Sequence, residues 1–103
     1  MPTTSATGAG RSPQWPGVRA TYLKDHPLCA ACGGDDYLQV HHIVPFHLDQ
    51  TLELDPKNLI TLCEQPAYNC HFTWGHFHDW YGYNPNVKRD AAHYRRINAS
   101  KKP

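Results

Sequence analysis

Four cysteines constrain this chain more than any other feature of its sequence. Cys29 and Cys32 are separated by two residues and followed by two glycines, whereas Cys63 and Cys70 have six residues between them. The first spacing, with glycines that allow a tight turn, is typical of a zinc knuckle. The wider second spacing requires the intervening residues to loop out. We expect all four sulfurs to bind one tetrahedral structural Zn²⁺; disulfides or free thiols are the alternative.

The length of the chain explains why it needs such a site. A chain of 103 residues with eight histidines has few apolar side chains for a core, and small domains often depend on a structural metal or on disulfides. The sequence shows neither a basic leader with an apolar run nor an apolar stretch near the ~20 residues of a membrane helix. We therefore expect a soluble, cytoplasmic protein without a membrane partner. A reducing cytoplasm favours metal over disulfides.

Local patterns divide the chain into a short lead and one domain. Residues 1–14 are rich in Gly, Ser, Thr and Pro and lack an apolar period, which predicts a disordered lead. Residues 15–103 are predicted to form a single domain. It begins with a helix of two to three turns, because apolar residues recur at helical spacing from Trp15 until Pro27 ends the pattern.

Two strands and further helices complete the predicted fold. Residues 37–44 and 58–63 are rich in β-branched, aromatic and leucine side chains, and about a dozen residues separate them, so we predict a hairpin with a long loop. Residues 72–80 have the aromatic density of a packed helix, although Gly75 weakens it. A last helix is predicted over residues 85–98, with an inward face of Val87, Ala91 and Tyr94. These elements predict a small α+β domain.

The basic residues are concentrated near the end of the chain. The net charge is only +1, yet residues 88–103 carry six basic side chains against one acid, giving them +5 and residues 1–87 a charge of −4. A basic helix after an acidic body is suited to phosphate contact. The predicted nucleic-acid-binding residues are Lys88, Arg89, Arg95 and Arg96. The alternative is a solvated helix face.

Histidines follow the cysteines along the two predicted strands. His41 and His42 are adjacent in the sequence HHIVP, Asn58 opens NLITLC, and His71 directly follows Cys70. Successive side chains on a strand point to opposite faces, so the two adjacent histidines are not expected to bind the same ion. We expect them to have different roles.

In this combination the chain resembles the HNH (ββα-metal) endonuclease superfamily, in its zinc-knuckle-containing form. The matching segments are CAAC, VHHIVP, NLITLC and NCH, which lie in this order within residues 28–80. The resemblance implies a ββα-metal fold and hydrolysis of DNA phosphodiester bonds to 5′-phosphate and 3′-hydroxyl ends. It also suggests a bacterial or phage-encoded protein. DNA is the expected partner, and RNA is an alternative.

The resemblance also implies a role for each matching residue. His42 corresponds to the general base, and a histidine suits this role because its ordinary pKa near 6.5 leaves it neutral at cellular pH. His41 and His71 correspond to ligands of a single catalytic ion. Asn58 corresponds to the residue that pins the loop and orients the base.

His76 is the candidate third ligand, but its spacing departs from the family pattern. Related sites place the two helix histidines four residues apart, whereas His71 and His76 are five apart. On a regular helix of 3.6 residues per turn they would point about 140° away from each other. Gly75 is the residue that would permit a distortion.

Several cofactor and residue assignments complete the interpretation. Mg²⁺ or Mn²⁺ is the expected catalytic ion, because hard ions suit phosphate oxygens; other divalent ions are alternatives, and no organic cofactor is expected. Asp49, Glu53 and Asp55 are interpreted as solvated loop residues. The remaining histidines are interpreted as surface or packing residues: His26, His47, His78 and His93. The alternative functions are a non-catalytic, zinc-dependent DNA- or RNA-binding module and a structural protein-interaction domain.

Overall fold

A computed structural model describes residues 12–66, 68–79 and 82–100, with side chains as far as residue 97. The regular elements are helix α1 (Trp15–Asp25), strand β1 (Leu38–His42), strand β2 (Leu59–Cys63) and helix α2 (Val87–Ser100). Two 3-10 turns, Gln50–Leu52 and Pro56–Asn58, lie between the strands, and a π-helical turn, His71–Gly75, follows β2. In the described parts of the chain, no helix is long and apolar enough to cross a membrane.

The two strands form the predicted antiparallel hairpin. Leu38 pairs with Cys63 and His42 pairs with Leu59, and every residue of β2 is buried. Both strands are shorter than expected. Asn58, predicted to open the second strand, instead ends a 3-10 turn. The Asp55 side chain caps this turn by accepting from the Lys57 N–H.

The core is small and includes the cysteines themselves. Its buried members are Cys29, Ala31, Ile43, Ile60, Leu62, Cys63, Cys70, Val87 and Ala91, with Trp74 and Tyr94 packed at its edge. Val87 and Ala91 are fully buried, so α2 packs through the predicted stripe. Because half-buried aromatic and sulfur-bearing side chains supply so much of this core, the cysteine cluster is central to holding it together.

Helix α1 attaches to the hairpin through a half-buried face. None of its residues is fully buried, and the Tyr22 hydroxyl donates to the Leu59 carbonyl at 2.9 Å. Of the predicted disordered lead, residues 1–11 lie outside the described residues. Residues 12–14 form a turn into α1, in which the Trp15 N–H donates to the Ser12 carbonyl.

The segment predicted as a packed helix over residues 72–80 forms one π-helical turn instead. The turn ends at Gly75, and Phe77 and His78 then adopt φ angles of 53° and 63°. These left-handed conformations end the helical path, since consecutive residues with positive φ cannot continue a right-handed helix. Phe77 is 56% exposed and does not contribute to the core.

Candidate metal centres and active site

The two histidines at the end of β1 contact different side chains. His41 is 3% exposed and contacts the rings of His71 and His76. His42 is 9% exposed and packs against Trp15, with 4.4 Å between ring centroids. This separation follows from the alternation of side chains on an extended strand. The two rings therefore point in different directions, as expected for adjacent residues on a strand.

The π-helical turn brings His71 and His76 together despite their spacing. A π-helix bonds residue i to residue i+5, so residues five apart lie much closer to one face than on an α-helix. The Nε2 atoms of the two rings are 3.3 Å apart. The misalignment expected for a regular helix is therefore absent, because the helix is not regular at this point.

Hydrogen bonds to the far sides of these rings fix where their protons lie. His71 Nδ1 is 2.9 Å from a Glu64 carboxylate oxygen, and His76 Nδ1 is 2.8 Å from the Gly82 carbonyl oxygen. Both oxygens only accept, so each Nδ1 carries a proton, and in the neutral ring the lone pair lies on Nε2. In these tautomers the two Nε2 atoms, 3.3 Å apart, are the ring nitrogens through which both histidines could bind a metal ion.

His41 brings the third nitrogen to this histidine cluster. Its Nδ1 is 3.0 Å from His71 Nε2, and one ring nitrogen from each of the three residues lies within 4.8 Å of the others. For metal–nitrogen bonds of about 2.0–2.1 Å, neighbouring nitrogens in tetrahedral or octahedral sites are separated by roughly 2.9–3.4 Å. The observed spacing of the closest nitrogens fits a shared metal ion.

Burial favours the neutral form of two of the three rings. Desolvation, reinforced by the neighbouring histidines, lowers the pKa of His41 to about 3, and desolvation also lowers the pKa of His71. Among the described side chains, His41 Nε2 is a buried polar atom without a hydrogen-bond partner. It lies against Gly75, where an added Cβ would come within 3.1 Å of the His41 ring. Gly75 thus leaves the space that this ring occupies.

His42 lies beside the cluster, along the wall of a shared cavity. The cavity has a volume of about 380 Å³ and is lined by Val40, His41, His42, Pro45, Phe46, His47, His71 and His76. His42 Nε2 donates to the Glu53 carbonyl oxygen at 3.0 Å. In a neutral ring the lone pair of His42 is then on Nδ1. His47, interpreted from the sequence as a surface or packing residue, is exposed and contributes to the cavity wall.

Asn58 fastens the loop that carries this carbonyl. Its buried side chain accepts from the Val44 N–H at 2.8 Å and donates to the carbonyls of Val44 and Leu52 at 3.2 and 3.3 Å. Leu52 immediately precedes Glu53. The Asn58 amide therefore connects Val44, at the start of the loop, with Leu52, the neighbour of the residue whose carbonyl accepts from His42.

Glu53 corrects the interpretation of the loop acids as solvated residues. It is 4% exposed, and both of its carboxylate oxygens accept from the Ser12 N–H at 3.1 and 3.2 Å. Asp49 and Asp55 are half-buried and cap the two 3-10 turns. Spacing along the chain gave no signal for Glu53, because its partner lies 41 residues away.

The four cysteines form a second cluster. Their sulfurs all lie within 4.8 Å of one another, and three of the residues are buried. Gly33 makes the knuckle turn with a φ of 81°, and a hydrogen bond from the Cys70 thiol lowers the pKa of Cys29. Four thiolate ligands at this spacing could hold a tetrahedral Zn²⁺.

The basic residues of α2 separate into two groups. Arg89 and Arg96 line an exposed groove with His93, and the Arg89 side chain is 74% exposed beside Asp90. Arg95 instead lies over the knuckle, where a Cβ added at Gly33 would come within 2.9 Å of its guanidinium carbon. Lys88 donates to the Lys57 carbonyl at 3.0 Å. All four side chains are exposed, and that of Arg95 differs from the others in lying close to Gly33.

These features define a small α+β domain in which a hairpin, a helical turn and a cysteine cluster hold a group of buried and half-buried histidines. Residues 29–73 match the family model described as HNH endonuclease, and this match confirms the resemblance to the HNH superfamily. Comparisons with curated proteins and with solved structures gave no match. The HNH domain indicates a nuclease-type or nucleic-acid-related function. The match ends before His76 and α2.

Proposed function

We propose that this protein is a metal-dependent DNA endonuclease with a single catalytic ion. The observation that carries the proposal is the convergence of three ring nitrogens: the Nε2 atoms of His71 and His76 lie 3.3 Å apart, and His41 Nδ1 lies 3.0 Å from the first. Three imidazole nitrogens that converge at this spacing suit a transition-metal ion. A non-catalytic zinc module would not need this arrangement.

The three nitrogens also bear on the identity of the ion. Mg²⁺ prefers oxygen ligands and retains water, whereas imidazole suits transition metals. Of the two ions expected from the sequence, the donor set therefore favours Mn²⁺ over Mg²⁺, and it also admits Zn²⁺ or Ni²⁺. When bound, the ion would stabilise negative charge on the phosphate and on the departing oxygen.

His42 would supply the general base. The Glu53 carbonyl holds its Nε2–H at 3.0 Å, which leaves Nδ1 to take a proton from water at the shared cavity. After proton transfer, the same carbonyl would stabilise the positively charged ring. The water then attacks phosphorus in line with the leaving 3′-oxygen, giving a 5′-phosphate and a 3′-hydroxyl.

Asn58, Glu53 and Trp15 would act as positioning residues for this base. Asn58 holds the loop at Val44 and Leu52, so it fixes the Glu53 carbonyl. Trp15 covers one side of the His42 ring. Loss of any of these contacts would misplace the base by fractions of an ångström, and such errors lower the rate without weakening ion binding.

Cleavage of supercoiled plasmid tests the proposal. The assay compares wild type with His42→Ala and His71→Ala in Mg²⁺, Mn²⁺, Ni²⁺ and Zn²⁺, with ion affinity measured in parallel. We expect His42→Ala to bind the ion normally and to lose about 10²–10⁴-fold in rate, the usual contribution of a general base. His71→Ala should bind the ion more weakly and recover part of its activity at high ion concentration. His26→Ala, a change at an exposed ring stacked on Tyr22, is the matched control.

Each variant has an outcome that contradicts its assigned role. An unchanged rate in His42→Ala would exclude it as the base, and unchanged ion affinity in His71→Ala would exclude it as a ligand. A wild-type protein that binds DNA or RNA but cuts neither with any of these ions would be the non-catalytic zinc-dependent binding module.

A further inference from the structure

Two pairs of neighbouring residues join the cysteine cluster to the histidine cluster. Cys63 is followed by Glu64, and Cys70 is followed by His71. Both cysteines contribute sulfurs to the same cluster, and the two residues that follow them form a hydrogen-bonded pair with 2.9 Å between Glu64 Oε2 and His71 Nδ1. Each end of the intervening loop therefore holds one sulfur and one member of this pair.

The backbone explains why the pair forms where it does. Cys63 ends β2 with its sulfur in the buried cluster, and the next residue, Glu64, continues the extended path because its N–H donates to the Tyr37 carbonyl at 2.8 Å. Its side chain consequently leaves the strand on the opposite side from the sulfur. His71 opens the π-helical turn directly after Cys70.

The Glu64 carboxylate determines which nitrogen of His71 faces the other histidines. It accepts from Nδ1, so the lone pair of the neutral ring is on Nε2, the atom 3.0 Å from His41 and 3.3 Å from His76. Carboxylates in this position orient a metal-binding imidazole and increase its basicity, and their loss typically costs 10–100-fold in metal affinity.

We propose that Glu64 is a positioning residue for His71, and that the cysteine cluster, by holding Cys63 and Cys70 together, sets the distance between Glu64 and His71. The inference rests on the proposed function, in which the histidine cluster binds the catalytic ion. It assigns the zinc site a second task besides stabilising the fold, because the same four sulfurs determine the geometry of the neighbouring site.

Ion binding to zinc-loaded full-length protein tests the role of Glu64. Mn²⁺ binding is followed by electron paramagnetic resonance and Ni²⁺ binding by calorimetry, in wild type, Glu64→Ala and Glu64→Gln. The Glu64 side chain is 36% exposed, so its replacement should leave zinc content and thermal stability near normal. We expect Glu64→Ala to weaken binding about 10–100-fold and Glu64→Gln, which keeps an accepting oxygen, to weaken it less. Asp36→Ala removes an exposed acid as the charge-matched control.

Lengthening the loop tests the role of the cysteine cluster. Two glycines inserted after Pro66 separate Glu64 from His71 along the chain but leave all four sulfurs in place. If the sulfurs set the distance, ion affinity should stay within about threefold of wild type; a loss as large as that of Glu64→Ala would show that the loop sets it and would overturn this part of the proposal. Unchanged affinity in Glu64→Ala, with the wild type binding normally, would overturn the role of Glu64 alone. Failure of the wild type to bind either ion would overturn the proposed function as well.

Discussion

The cysteine cluster and the histidine cluster lie next to each other and differ in almost every property that matters to a metal. The first offers four sulfurs within 4.8 Å of one another, with Cys29, Cys63 and Cys70 buried in the core. The second offers three nitrogens beside a cavity of about 380 Å³. Structural zinc sites have four protein ligands, whereas catalytic sites keep a position open for water or substrate.

The difference shows how a small domain can separate stability from chemistry. Three of the four cysteines are buried members of the core, so the cysteine cluster takes part in the packing that stabilises the fold. The histidines occupy the surface of that core, where hydrogen bonds to Glu64 and Gly82 orient two of the three rings. Changes in the first cluster should therefore affect folding, and changes in the second should affect metal binding and rate.

The largest expected effect is loss of the fold in Cys29→Ser. Zinc contributes about 10–16 kcal/mol in zinc-finger peptides, which matches or exceeds the roughly 5–15 kcal/mol net stability of a typical domain. Cys29 is fully buried, so its replacement removes a ligand and places a hydroxyl in the core. We expect circular dichroism to show an unfolded chain and metal analysis to show no tightly held zinc.

The matched change at the other cluster is His71→Ala, which should remain folded with about one zinc per chain. A folded, zinc-free Cys29→Ser protein would contradict the division between the two clusters. Unfolding of both variants would also contradict it, because the histidine cluster would then be as important to stability as the cysteines.

A smaller effect is expected for Gly75→Ala, which acts on the histidine cluster alone. The added Cβ would lie 3.1 Å from the His41 ring, and overpacking of this kind typically costs about 1–3 kcal/mol. If most of this strain falls on the ion-bound arrangement, affinity should fall roughly tenfold, since 1.4 kcal/mol corresponds to a factor of ten. Titration with Mn²⁺ measures the loss, and zinc content should not change.

Gly17→Ala is the control for this substitution. Gly17 lies within α1, where an added Cβ would meet nothing within 4 Å, so alanine should stabilise the helix by up to about 1 kcal/mol. Equal ion affinity in the two alanine variants would show that the space beside His41 is not needed.

The sequence predicts the hairpin, the cysteine cluster and the inward stripe of α2 because each depends on local spacing. It does not predict the π-helical turn, since the helical period assumed for residues after Cys70 makes His71 and His76 diverge. The structure resolves this conflict by forming a π-helical turn over His71–Gly75. The buried position of Glu53 depends on Ser12, a contact between distant parts of the chain that no periodic pattern encodes.

The position of Arg95 shows the same limit for a charged residue. Its place in the helical period predicts exposure, and Arg95 is exposed. Its long side chain nevertheless reaches Gly33, because arginine can lay its stem along a neighbouring surface. The sequence pattern therefore predicts where the Cα of a long side chain lies, and it does not predict which residue the guanidinium group contacts.

The smallest expected effect concerns the basic helix, and it distinguishes the two arginines that share a groove from the exposed arginine beside Gly33. Arg89 and Arg96 share a groove with His93, so they can approach a DNA backbone together, whereas the Arg95 guanidinium lies over the zinc knuckle. Each phosphate contact contributes about 0.9 to the slope of log affinity against log salt. We expect the double variant Arg89→Ala/Arg96→Ala to flatten this slope by roughly 2, weakening binding about equally across sequences, and Arg95→Ala to leave it nearly unchanged.

Binding is measured with cleavage-deficient His42→Ala protein at several salt concentrations, and Lys24→Ala on α1 serves as the exposed basic control. An unchanged slope in the double variant would remove this groove from the DNA-contacting surface, and a slope that changes in Arg95→Ala would show that the knuckle side of α2 also meets phosphate.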